Sequence, residues 1–482
     1  MKRLLTFILV ILITLTGCSP KVNEPEEQPS IQPLSYLDIY YLNDFHGAIE
    51  KDSPNLGIAY LANYIEQKRL DNPNGTLLLA GGDMLQGSAL SNYYQGQSTL
   101  TIMDQMKFDA MVVGNHEFDW GIEVVTQNFL GDQALSFPLL GANIFHKETN
   151  ELVDGIDPYT IITRGDVKIG VIGIMGDGLE SSIATSKVSG YSFERSLEMV
   201  KFYASYLRED ENVDYVIVLM HDPGGINSQI DALSGSENVD IIFNAHDHQK
   251  NISRLPNGTL TIKSGSNGQA IGHVRIDLET SQMTGVNVSS DTLFNTPNAE
   301  VQTLIDQYKL GTDEIFLTPI IDAGQYMSKD ELTEWVANLM RVRANADIAF
   351  HNTGGTRASI NHGEVINYAK IYEILPFDNV IKSAYILGSE VKKMMADQGL
   401  RYSTLKSSFD DQTYYLVATN DYIYDQTSRP FITAEQQFYN GDIVRDLMRD
   451  ELLLQKDLFD AFYISNQFQI QPDLSAYTQD QP

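Results

Sequence analysis

Short, strongly apolar runs alternate with helical patterns from Tyr36 to about Asn295. Leu37 to Leu42, Thr76 to Ala80, Ala110 to Val113, Tyr215 to Leu219 and Val239 to Phe243 read as buried strands, and Lys168 to Met175 and Thr259 to Lys263 add two more. Between the first two, Leu56 to Arg69 puts Ile58, Leu61, Ala62 and Ile65 on one helical face. Strands alternating with helices predict an α/β domain. Asn298 to Leu310 is again helical. From about Thr318 a second α/β pattern begins, with a helix over Glu331 to Arg343, a strand over Asp347 to Phe350 and a loop over His351 to Arg357. The expected layout is a first domain over 36–295, a linker helix over 296–317 and a second, smaller domain over 318–482.

Five of the strand runs lead straight into side chains that ligate metals. The segments are Asn43-Asp44-Phe45-His46-Gly47, Gly82-Asp83, Gly114-Asn115-His116-Glu117-Phe118-Asp119, Met220-His221-Asp222 and Asn244-Ala245-His246-Asp247-His248. Ligands gather beyond the carboxyl ends of strands in open α/β sheets, so one sheet would bring all five segments together. Any one segment alone reads as an ordinary turn. Five of the nine histidines fall in these segments, however, each in the same strand-then-loop context, and coincidence explains that poorly. Asp44 and His46 are two residues apart, as are His246 and His248, and extended backbone would send each pair to one side. Asn115 and His116 are adjacent and should point different ways. Asp83 stands alone behind Gly81 and Gly82, as a bridging carboxylate would. Mixed Asp, Asn and His donors suit a catalytic two-metal centre and hence phosphoester hydrolysis.

Charge and the N-terminus narrow the setting. The 482-residue chain has a formal charge of −31, which argues against a nucleic-acid partner. Lys2 and Arg3 precede an apolar stretch from Leu4 to Leu15, too short to span a bilayer comfortably, so residues 1–17 read as a signal peptide. Leu15-Thr16-Gly17-Cys18 resembles a bacterial lipobox, which implies lipid on Cys18, the one cysteine of the chain, and a membrane-anchored, extracytoplasmic protein. Residues 18–35 carry Pro20, Pro25 and Pro29 and read as a flexible tether.

The order D-x-H, G-D, G-N-H-E, H and H-x-H in these segments resembles the calcineurin-like metallophosphoesterases. Asn43 to Gly47, Gly114 to Gly121, Gly354-Gly355-Thr356-Arg357 and Leu375-Pro376-Phe377-Asp378-Asn379 narrow it to a resemblance to the bacterial 5'-nucleotidase family, which includes UDP-sugar hydrolases and 2',3'-cyclic phosphodiesterases. Ala245 stands where that family usually has glycine. The resemblance implies an N-terminal four-layer α/β/β/α domain and a smaller C-terminal α/β domain.

It also implies a division of labour. Asp44, His46 and His248 would hold one divalent ion and Asn115, His221 and His246 another, with Asp83 shared; Mn, Zn and Co all fit such donors. His116 would stabilise transition-state charge or protonate the leaving group, with Asp119 orienting it. Arg357 has the planar geometry to hold a phosphate and Asn352 lies on the same loop, whereas an isolated Arg357 would read equally as a surface residue. Tyr422 occupies the place of a base-stacking aromatic. The Gly-Gly-Asp-Gly string that normally follows is replaced by Ile423 to Thr427, and Leu400 to Tyr414 is too short for the usual first stacking loop. A base would therefore rest on Tyr422 with help from Tyr424 or Phe431, or not be held at all. The leading expectation is a surface-anchored 5'-nucleotidase with a small phosphoester substrate. Its rivals are a cyclic phosphodiesterase, nucleotide-sugar pyrophosphatase or non-nucleotide phosphatase of the same fold, and a non-catalytic solute-binding lipoprotein.

Overall fold

Alternate side chains of the Tyr36–Leu42 strand face opposite ways, and both faces are buried: Leu37, Ile39 and Tyr41 enter one core, Tyr40 and Leu42 another. That is why this run reads as apolar apart from Asp38, which is buried in ion pairs with His273 and Arg275. The computed structural model describes residues 34–289 and 292–477. The signal-peptide stretch, Cys18 and the tether up to residue 33 lie outside the described residues.

Two six-stranded sheets make up the first half. In the first, Tyr36–Leu42, Thr76–Ala80, Ala110–Val112 and Leu139–Leu140 run parallel, and Ile271–Asp277 and Met283–Val288 extend the other edge antiparallel. In the second, Val167–Met175, Tyr215–His221, Ile241–Asn244 and Leu260–Ser264 are parallel, between antiparallel edge strands Tyr159–Arg164 and Lys250–Arg254. The sheets pack face to face through Ile39, Leu77, Val171, Ile217 and Phe243, among others. The Ile58–Asp71 helix covers the outer face of the first sheet with Ile58, Leu61, Ala62 and Ile65, the face its sequence predicts. The Ser196–Glu209 helix covers the second with Val200, Ala204 and Leu207. This is the four-layer α/β/β/α arrangement.

The Ala299–Leu310 helix starts where the Asn298 side chain accepts hydrogen bonds from the Glu300 and Val301 amides, at 3.1 and 3.0 Å. It is no free-standing linker: Val301 and Ile305 are buried in the first-half core. Phe316, on the short helix that follows, already belongs to the second-half core. That second half holds a five-stranded sheet in the order Leu400–Thr404, Ile348–Asn352, Tyr414–Asn420, Val380–Leu387, Gln437–Ile443. The Lys329–Arg343 helix starts two residues earlier than its periodicity predicts, because Ser328 and Glu331 form a reciprocal capping box. Among the described residues no helix is long and apolar enough to cross a membrane.

Candidate active site

The five predicted segments do converge, but from two sheets rather than one. The ends of Tyr36–Leu42, Thr76–Ala80 and Ala110–Val112 meet those of Tyr215–His221 and Ile241–Asn244, and the Tyr41 hydroxyl ties the sheets together by donating to the Asn244 carbonyl at 2.9 Å. The first two loops run side by side: the amides of Asp44, His46 and Gly47 donate to the carbonyls of Gly82, Asp83 and Met84 at 3.1, 3.0 and 2.9 Å. Gly114 must be glycine, since a Cβ there would lie 2.3 Å from Asp83 Oδ1. Ala245, the departure from the expected pattern, is fully buried and has no positive φ, so an alanine fits there.

The backbone at these residues is not extended, which corrects the reason given for the two-residue spacings. Asp44, His46, Asp83, His246 and His248 have φ of 47°, 52°, 51°, 76° and 59°. They are five of the twelve non-glycine residues with positive φ among the described residues. A left-handed conformation is costly for such side chains and persists where the surroundings over-determine it. Each pair reaches a common point through a tight turn instead of a pleat.

Two groups of ligand atoms result: Asp44 with His46 and His248, and Asp83 with His221 and His246, each within a span of 4.8 Å. In the first, the Nε2 atoms of His46 and His248 are 3.1 Å apart. In the second, Asn115 Oδ1 lies 3.2 Å from His221 Nε2 and 3.0 Å from His246 Nδ1. The Nδ1–H groups of His46 and His221 donate to the carbonyls of Gln86 and Gly81, both at 2.8 Å, which turns each Nε2 toward the group. Burial holds His46 down at about 3, in the neutral form that can bind a cation. Burial also lifts Asp44 to about 6. Burial would likewise raise Asp83, but His221 and His116 hold it well below the usual carboxylate range, while Asp83 overcomes burial to push His221 up to about 10. Carboxylates, imidazoles and an amide oxygen crowded at such distances fit divalent cations.

His116 belongs to neither group, though its ring packs edge-on against His46 at 5.4 Å. Its Nδ1 lies 2.8 Å from Asp119 Oδ2, and its amide donates to Asp83 Oδ1 at 2.8 Å. Burial lowers its pKa, but Asp119 and Asp83 outweigh that and push it up to about 9. Sequence reasoning quoted Glu117 without giving it a role. Fully buried, it accepts from the amides of Gly114, Asp83 and Met84 at 2.7, 2.9 and 2.9 Å, which clamps the two loops. Burial, with Asp83 nearby, raises its carboxyl to about 7.

A cavity of 610 Å³ opens over Asn115, His116, Asp119 and His246 from one side and over Asn352, Arg357, Phe377 and Tyr422 from the other. Arg357 also lines a neighbouring cavity of 700 Å³ beside His46 and His248. Its amide donates to the Ile374 carbonyl at 2.8 Å, but its side chain makes no hydrogen bond among the described residues, and its charge acts on His46, His116, Asp119 and His248. Asn352 accepts from Asn420 Nδ2 at 2.9 Å, and Asn420 Oδ1 caps the helix that carries Tyr422. Tyr424 and Phe431, considered as partners for a base, are excluded: 3% and 0% exposed, they stack on each other in the core at 5.0 Å. The cavity has other aromatics, Trp120 and Phe377, the latter stacked on His116 at 5.8 Å. Trp120 follows the Gly114 to Asp119 segment directly, the one signal that could have marked it. The small loops after Met175 and Ser264 brace the scaffold: Asp177 caps Ser196, and Asn43 holds Ser264 and Gly265.

Residues 37–250 match the calcineurin-like phosphoesterase family and residues 317–409 the 5'-nucleotidase C-terminal domain. A cell wall protein of Listeria monocytogenes is 25% identical over 80% of this chain, which spans 59% of that protein's length. A 5'-nucleotidase of Vibrio cholerae is 26% identical over 79% of this chain and 78% of its own. The crystal structure of a 5'-nucleotidase precursor from Thermus thermophilus superposes with a TM-score of 0.74 at 19% identity, covering 87% of this chain and 97% of that one. The chain thus joins a calcineurin-like phosphoesterase domain to a 5'-nucleotidase C-terminal domain.

Proposed function

We propose that this protein is a metal-dependent phosphoester hydrolase that removes the 5'-phosphate of nucleotides, held outside the cell membrane by lipid on Cys18. The observation that carries the chemistry is that two neighbouring cavities, both lined by Arg357, open on the two ligand groups and the His116–Asp119 pair. Asp44, His46 and His248 would hold one ion and Asn115, His221 and His246 a second, with Asp83 shared; Mn, Zn or Co would suit the donors. When bound, such a pair supplies an activated water and neutralises phosphoryl oxygens. The chain's own residues do the rest. Gln86 and Gly81 fix the imidazole tautomers of His46 and His221. Arg357 holds non-bridging oxygens in parallel hydrogen bonds. His116, kept protonated by Asp119, meets the developing charge and gives a proton to the leaving oxygen. Phe377 lies against His116 and keeps water from that side. Tyr422, with Trp120 also in the wall, offers an apolar face to a base.

The loss of Tyr424 and Phe431 to the core favours a second reading, hydrolysis of a cyclic, pyrophosphate or non-nucleotide ester at the same centre. The test is chromatographic product analysis with the metal-loaded full chain in detergent, across AMP, UMP, a 2',3'-cyclic nucleotide, UDP-glucose and an aryl phosphate. Selectivity for the nucleoside monophosphates supports the nucleotidase reading. Equal or better turnover of the other esters moves the assignment to the second. No hydrolysis with metal bound would leave a solute-binding role. Labelling with radioactive palmitate, abolished by Cys18→Ser, tests the anchor.

A further inference from the structure

The cavity wall carries more positive charge than one phosphate needs. Its acids are all engaged: Asp119 with His116, Asp378 with Arg445, and Asp421 with the amides of Val380 and Tyr422 at 3.2 and 3.1 Å. Lys382 is paired with Asp425 at 2.8 Å. Two cations of the wall have no ion-pair partner among the described residues, Arg357 and Lys187. They are placed differently. Arg357 lines both cavities and faces the two ligand groups, whereas Lys187 lines only the cavity on the His116 side, where a leaving group would lie. Lys187 is half-buried on the short Thr185–Val188 helix, and its neighbours in the wall, Ser182, Ala184 and Ser186, carry no charge. In a chain with 64 acidic and 33 basic residues, a half-buried lysine with no carboxylate beside it is a sparse resource. An ammonium left unmatched on a cavity wall is matched by an anion of the ligand.

We propose that Lys187 is a specificity residue that recognises a second phosphoryl group on the leaving part of the substrate. Nucleoside diphosphates and nucleoside 3',5'-bisphosphates share that chemistry. The inference rests on the phosphoester-hydrolase reading. In the reaction the oxygen of water bonds to the scissile phosphorus and the P–O bond to the leaving group breaks with its electron pair. The leaving oxygen takes up a proton. The products are inorganic phosphate and a leaving group that keeps its own phosphate against Lys187.

The experiment compares kcat/KM of the metal-loaded full chain for ADP and for adenosine 3',5'-bisphosphate with that for AMP, in the native protein, Lys187→Met and Lys187→Arg. Binding of the same three nucleotides to the metal-free protein is measured in parallel. Loss of a charge-assisted hydrogen bond should reduce the preference for at least one doubly phosphorylated ligand by about tenfold in Lys187→Met, with Lys187→Arg keeping most of it. A loss confined to ADP places the second phosphate next to the scissile one; a loss confined to the bisphosphate places it at the far end of the ribose. An equal preference in the native protein and Lys187→Met, in both turnover and binding, overturns the proposal. No turnover of any ester alongside a Lys187-dependent binding preference would instead refute the hydrolase reading and leave the Lys187 site standing.

Discussion

Asp44, His46, Asp83, His246 and His248 stand on left-handed backbone; amides and carbonyls of neighbouring loops hold the first three, and the Asp44 carboxylate holds the His246 amide. Across the cavity, the Arg357 and Lys187 side chains reach in without an ion-pair partner among the described residues, and Tyr422 sits on a one-turn helix capped by Asn420. The first side was set before any ligand arrives; the second waits for one. A cation needs donors at fixed distances, so its cradle must be rigid. Organic ligands differ in shape, and a wall that reads them can vary without disturbing the chemistry. Substitutions on the two sides should therefore fail differently, the first by losing ions or the reaction step, the second by losing discrimination.

The largest effect should come from His116, which touches the reaction without belonging to either ligand group. His116→Ala should cut kcat by roughly 10²–10⁴-fold, the usual worth of a general acid, while metal analysis finds the native content. Lost metal in this variant would put His116 inside the cradle. Its charge can be checked without ions: NMR titration of the metal-free protein should find the imidazole near 9. Asp119→Asn removes a carboxylate that favours the charged form, so the titration should move to lower pH.

Glu117→Gln comes next. The substitution puts an NH₂ group where a carboxylate oxygen accepts backbone amides, and the clamp between the two loops opens. Weakening of this kind behind a metal site is worth about 10–100-fold in affinity or activity. Titration of the apo-protein with Mn²⁺ measures it, and excess Mn²⁺ should restore turnover. Arg357→Ala, on the other side, should leave metal content and unfolding temperature untouched, since the side chain makes no hydrogen bond among the described residues. The loss should appear in kcat/KM, about 10–100-fold for charge-assisted hydrogen bonds of roughly 1.5–3 kcal/mol. Arg357→Lys should recover only part, because an ammonium cannot donate two parallel bonds.

The same contrast explains what could be read from the sequence. Strands buried on both faces become largely apolar runs, so Thr76–Ala80 was legible to the residue and Tyr36–Leu42, despite Asp38, to within one. Ligand chemistry was legible because its residue types are few and their strand-end context repeats. That two sheets rather than one deliver the ligands depends on pairings far apart in the chain, such as Tyr36–Leu42 beside Ile271–Asp277, and no local pattern encodes them. The left-handed turns went unseen because Asp and His adopt that backbone only occasionally, so neither residue type singles it out. Glu117 was hidden by its function, since its partners are backbone amides of other segments. The facing wall was least legible: Trp120, Phe377 and Lys187 are brought together by tertiary packing, and Tyr424, two residues from Tyr422, turns into the core instead.

Tyr422 gives the smallest effect and the finest probe of the comparison. Its half-buried ring lies in the cavity wall, beyond the reach of the cradle's hydrogen bonds. Aromatic contact adds about 0.5–1.5 kcal/mol beyond simple burial, so Tyr422→Ala should raise KM for a nucleoside monophosphate by about 2–10-fold. Tyr422→Phe should stay close to native, because the face of the ring and not its hydroxyl makes the contact. The informative readout is the ratio of nucleotide to glycerol phosphate turnover. Glycerol phosphate has no base to stack, so that ratio should fall in Tyr422→Ala with kcat for the nucleotide largely retained. An equal loss on both esters would mean that Tyr422 supports the geometry of Arg357 and Asn352 through the Asn420 cap, and the wall would then be as pre-set as the cradle it faces.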